Sequence, residues 1–165
     1  MICVAIVGPG EGASREDADR SRAAGAHVAA RGWVTLVGGR DVGVMHAAAD
    51  GAASNGGTVI GFLPGSDREG ASDALTIVLP TGLGEARNAV LVNSADAIVC
   101  CGISPGALSE VALGLKAGKP TVLIAPEPTV ASALLALAPG AVRVDDSAES
   151  GIRWVAERLG RARAQ

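Results

Sequence analysis

The chain has 165 residues, enough to bury a real core, and 48% hydrophobic with 19% charged content carries no signature of disorder. A net charge of −3, no basic run, and Trp33, Phe62 and Trp154 as the only aromatics argue against nucleic-acid partners, whether duplex or single-stranded. No stretch reaches the roughly 18 apolar residues of a membrane span.

In chain order, Ile2–Val7 is a β-branched run that reads as a first strand. The segment MICVAIVG lacks the charged start and cleavage site of a signal peptide, so a cytoplasmic protein with no membrane partner is expected. The loop GPGEGAS follows, with Gly8, Gly10 and Gly12 spaced as in a dinucleotide fingerprint. Such a turn aims backbone N–H groups at an anion, or simply reverses the chain. Ser14 with Asp17 resembles a capping box opening a helix over Arg15–Arg31, and Gly32 ends it.

Strand two, Val34–Val37, runs into Gly38, Gly39 and Arg40. A nicotinamide-binding fold wants an acid there for the ribose, so the paired glycines and the arginine suggest an anion contact instead. A helix over Gly43–Asn55, a strand over Thr58–Leu63 and the polar loop LPGSDREGAS come next. A strand at Leu75–Leu79 leads through Gly82 to a helix at Glu85–Ser94 that carries Arg87 and Asn88 in its first turn. The helix dipole disfavours a cation at that end, which hints that Arg87 faces an external anion.

The strand Ala97–Cys101 ends in CCGISPGALSEVALGLKAGKP. Gly102 and Gly106 permit close backbone approach, Ser104 and Ser109 add hydroxyls, and Ala107–Lys116 is helical. Glu110, one turn in, either compensates the dipole or serves a ligand as hydrogen-bond acceptor or general base. Strands at Thr121–Ile124 and Ala141–Val144 and helices at Thr129–Leu137 and Ala148–Arg163 complete the pattern. Cys3, Cys100 and Cys101 all lie in apolar runs and read as core residues, not as disulfide or zinc ligands.

Strands that do not alternate polar with apolar, separated by alanine-rich helices, imply an α/β fold. Residues 1–165 read as one Rossmann-like domain, a doubly wound parallel sheet of about seven strands with helices on both faces. Ligands of such sheets bind beyond the carboxyl ends of the strands, where these glycine loops fall.

GGR, GVM, LPTGLGEARN, SADAIV and GALSEVALGLKAGKP together resemble the lysine-decarboxylase-like proteins of the LOG superfamily. They look most like the branch that includes the molybdenum cofactor carrier proteins, with motifs in order from Ile2 to about Ile124. The resemblance implies that Arg87 and Glu110 occupy the positions of the catalytic pair of LOG phosphoribohydrolases. Arg87-Asn88 is instead similar to the carrier branch. Nothing supplies a Schiff-base lysine for a pyridoxal cofactor. The superfamily signature P-G-G-x-G-T-x-x-E is altered, with Ile103 and Ser104 in place of glycines and Ala107 in place of the threonine. Losing that hydroxyl from a phosphate site costs about 1.5–3 kcal/mol, and Pro105 has no N–H to donate.

Three functions fit. The first is a binding protein for a small phosphorylated heterocycle, a pterin such as the molybdenum cofactor or a nucleotide monophosphate, with no cofactor required for chemistry. The second is a nucleoside 5'-monophosphate phosphoribohydrolase in which Arg87 and Glu110 are catalytic. The third is a structural or signalling subunit with a degenerate pocket. The resemblance also implies a homodimer or homotetramer.

Overall fold

The computed structural model describes residues 1–162, so the expected helix end at Arg163 lies outside the described residues. The β-branched runs form strands β1 (Cys3–Val7), β2 (Val34–Val37), β3 (Val59–Leu63), β4 (Ile77–Pro80), β5 (Ala97–Cys101), β6 (Thr121–Ile124) and β7 (Val142–Asp145). Between them run helices α1 (Arg15–Ala29), α2 (Gly43–Ala53), α3 (Arg87–Ser94), α4 (Pro105–Lys116), α5 (Pro128–Leu137) and α6 (Ala148–Ala162).

All seven strands pair in parallel in the order β4-β3-β2-β1-β5-β6-β7. The expected doubly wound α/β sheet is therefore present. Alternate residues of β1 serve opposite faces, which is why the run is apolar throughout. Val4 and Ile6 pack with α1, α2 and α6, and Ala5 and Val7 with the layer containing α3, α4 and α5. Cys100 and Cys101 are buried, Cys3 is half-buried, and all are free thiols; burial pushes Cys101 up to about 12.

Local chemistry sets the helix starts. Ser14 Oγ accepts from Asp17 N at 3.0 Å while the Asp17 carboxylate accepts from Ser14 N at 3.3 Å, so the capping box is complete. Helix α4 begins at Pro105, two residues before the expected Ala107, because Ser104 caps it and proline at the first position has no intrahelical donor to lose. Strand β4 starts at Ile77 and not Leu75, because Leu75 instead lies over the bare backbone of Gly61. No helix among the described residues is long and apolar enough to cross a membrane.

Helices α1 and α2 approach so closely that Gly25 and Gly51 have no room for a side chain. A Cβ on Gly25 would strike the Ala48 carbonyl oxygen and come within 2.9 Å of Ala52 N. Alanine normally stabilises a helix over glycine by about 1 kcal/mol. Here Gly25→Ala is expected to reverse that sign and cost about 3 kcal/mol, the upper part of the overpacking range. Urea denaturation checks it, and a neutral or stabilising result would show that the two helices can move apart cheaply.

Candidate functional site

From β1 the chain winds outward through β2, β3 and β4, then returns to place β5 on the other side of β1. The loops after β1 and β5 therefore diverge and leave a crevice at the carboxyl ends of the strands. A cavity of about 220 Å³ lies there. The β1 loop lines it with Gly8 and Gly10, and the β2 loop with Gly38 and Arg40. Arg87 and Asn88 enter from α3, and Ser104, Gly106, Ala107 and Glu110 from the start of α4.

The structure thus brings together ten of the expected residues, which are those just named. Gly12, Gly39, Gly82 and Gly102 do not line the cavity. At the start of α1 the Ser14–Asp17 capping box engages the Ser14 and Asp17 amides, while Gly8 and Gly10 of the turn before it line the cavity. Gly102 packs against the Asp17 carboxylate, where a Cβ would lie 2.6 Å from Asp17 Cγ. Gly39 is a turn residue with φ of 87°, and its carbonyl accepts from Ser72 N at 2.9 Å. Met45, Pro64 and Glu85 also line the cavity and were missed by the sequence reading. Glu85, two residues before Arg87, was legible only as a charge near a helix start.

Arg87 and Glu110 lie at the starts of neighbouring helices on one face of the sheet. Arg87 Nη1 donates to Glu110 Oε1 at 3.1 Å, and the two residues are only 9% and 6% exposed. The expectation that Arg87 faces an external anion is thereby modified, because its nearest partner is internal. Burial pushes the Glu110 carboxyl up to about 7; the Arg87 charge and hydrogen bond oppose the rise, and Glu85 adds to it. Helix position alone would have kept this acid ionised, so desolvation wins over the dipole. The guanidinium rests on Gly38, where a Cβ would lie 2.8 Å from both terminal nitrogens. Arg87 Nε is buried with no partner.

Asn88 Nδ2 donates to Ser109 Oγ at 3.0 Å, leaving Oδ1 buried and unpartnered. Ser104 Oγ accepts from Ala107 N at 3.2 Å. With Pro105 lacking an N–H and Ala107 engaged by the cap, Gly106 supplies the free amide at this end of α4. The altered signature loop is thus a weaker anion cradle than an uncapped glycine loop. Arg40 stands half-exposed at the rim, paired with Glu11 at 3.3 Å.

A parallel sheet with a polar, arginine-bearing pocket at its winding reversal defines a Rossmann-like protein with a candidate small-ligand site. The chain belongs to the SLOG cluster4 family, whose model matches residues 1–150. It is similar to the molybdenum cofactor binding protein of Rippkaea orientalis, with 39% identity and a TM-score of 0.92 over 96% of this chain and 97% of that one. The molybdenum cofactor carrier protein MCP of Chlamydomonas reinhardtii is 38% identical, with a TM-score of 0.91 over 96% of this chain and 98% of the other. An uncharacterized protein of Archaeoglobus fulgidus is 36% identical over 126 residues, 76% of this chain and 82% of that relative.

Proposed function

We propose that this protein binds the molybdenum cofactor, or a closely similar phosphorylated pterin, in the pocket at the winding reversal. The observation that carries the reading is likeness along nearly the whole chain to a molybdenum cofactor binding protein and a molybdenum cofactor carrier protein, at 38–39% identity. The site chemistry fits such a ligand. Arg40, the Gly106 N–H and the positive end of α4 would hold its phosphate. The Arg87–Glu110 pair and Ser104 line the same cavity and give it polar groups for a heterocycle. Association as a homodimer or homotetramer belongs to the same proposal, with exposed Val90 and Leu108 on α3 and α4 available to an interface.

A LOG-type phosphoribohydrolase is the second reading, favoured by one feature. Glu110 at about 7 beside Arg87 is a carboxyl able to exchange a proton near neutrality. The two readings separate in one experiment. Protein purified from cells that make the cofactor is expected to release a phosphorylated pterin detectable by mass spectrometry. It is also expected to leave added nucleoside monophosphates intact. Absence of any pterin, with release of free base that Glu110→Gln abolishes, would overturn binding in favour of hydrolysis.

A further inference from the structure

Beside the pocket, and outside its lining, a second group of side chains converges. Asp41 follows β2, His46 sits in the first turn of α2, and Asp73 follows the polar loop after β3. His46 Nδ1 lies 2.6 Å from Asp41 Oδ1 and 3.0 Å from Ser72 Oγ. One ligand atom from each of Asp41, His46 and Asp73 falls within 4.8 Å of the others. Backbone pairing holds the segments that carry them. Arg40 and Ala71 form an antiparallel bridge, Asp41 N donates to the Gly70 carbonyl at 2.9 Å, and Ser72 N donates to the Gly39 carbonyl at 2.9 Å. The group is not satisfied by its own members. Asp73 has no ion-pair partner among the described residues, although a second carboxylate stands beside it. His46 Nδ1 faces two oxygens, yet a ring nitrogen donates one proton or accepts one, and so serves only one of them.

We propose that Asp41, His46 and Asp73 bind a divalent ion of the Zn²⁺ class, outside the ligand pocket and independently of what that pocket holds. An imidazole nitrogen with two carboxylate oxygens is a donor set that Zn²⁺ accepts, the fourth position of its tetrahedron falling to water. The imidazole disfavours Mg²⁺ and Ca²⁺, which take oxygen ligands. Bonds of about 2.0–2.2 Å set the ligand atoms of a tetrahedron about 3.3–3.6 Å apart. The group brackets that spacing, from 2.6 Å at one contact to 4.8 Å as its outer limit. Asp41 and Asp73 are exposed and His46 is half-buried, so side-chain rotation is enough to close the shell. The ion would neutralise both carboxylates, occupy the Nδ1 lone pair and cross-link three segments of the chain. Arg40, Met45 and Pro64 on those same segments line the pocket, so its wall there would be stiffened.

Titration calorimetry of the full, chelator-treated chain with Zn²⁺ tests this. Wild type is expected to bind one equivalent, and His46→Gln and Asp73→Asn are each expected to weaken it by roughly tenfold or more. Asp73 is exposed, so its variant carries the test if the histidine variant fails to fold. Co²⁺ bound in place of Zn²⁺ should show visible d–d bands without the near-ultraviolet charge-transfer band of a thiolate ligand. Zn²⁺ affinity unchanged in a folded variant overturns the site. A thiolate band overturns it as well, by moving the ion to a cysteine such as the half-buried Cys3. Wild-type protein that binds no Zn²⁺ overturns it outright, and each of these outcomes leaves the reading of the pocket standing.

Discussion

Arg87→Met is expected to destabilise the protein by about 3–5 kcal/mol at pH 8 and by far less at pH 5. The loss arises from what the substitution leaves behind. Glu110 is buried and the Arg87 guanidinium is its ion-pair partner at 3.1 Å. Removing one member of a buried pair strands the other charge, which costs more than the pair itself was worth. Glu110 has an escape at low pH, since a carboxyl already raised to about 7 rises further without the arginine and protonates. Urea denaturation at the two pH values reads the difference. An equal loss at both would mean that the guanidinium acts by packing on Gly38, with its charge of little account.

Glu110→Gln is expected to remove a pH dependence of stability. The folded-state pKa of Glu110, about 7, lies above its ordinary value of 4.5. The folded state therefore binds the proton more tightly than the unfolded chain does. The contribution is fully present below pH 4.5 and is lost as pH rises to about 7. A shift of this size corresponds to about 3 kcal/mol over that window. The glutamine variant, neutral throughout and still able to accept from Arg87, should show a flat profile there. A wild-type profile equally flat would place the Glu110 pKa near its ordinary value. Binding should follow the same titration. Ionised Glu110 opposes the Arg87 charge, so sulfate, whose own charge is constant, is expected to bind wild type more tightly at pH 6 than at pH 8. The glutamine variant should lack that difference.

The site was legible in the sequence where its residues are marked by backbone chemistry. Gly8, Gly10, Gly38 and Gly106 stand at strand ends or a helix start, and Arg87 at a helix end that disfavours cations. Gly12 and Gly102 carried the same local signal, yet Gly12 faces open space and Gly102 packs on the Asp17 carboxylate. A glycine turn looks alike in sequence whether it faces a cavity or an acidic side chain. Met45 and Pro64 were invisible because an apolar residue lining a pocket has the pattern of a core residue.

What the sequence determined by itself was the set of elements and most of their stops, whereas β4, expected to be covered on both sides, is an edge strand with Ile77 and Leu79 exposed. Those elements and stops depend on neighbours within a few residues: β-branching, helical propensity, Ser14 as a cap, glycines as breaks. Strand order belonged to the tertiary structure, because pairing β1 with both β2 and β5 is a matter of distant contacts. The same long-range packing sets α3 beside α4 and brings Arg87 to Glu110, 23 residues apart in the chain. That burial is the main cause that raises the Glu110 carboxyl. Desolvation is a property of everything packed around an atom, and no local spacing encodes it.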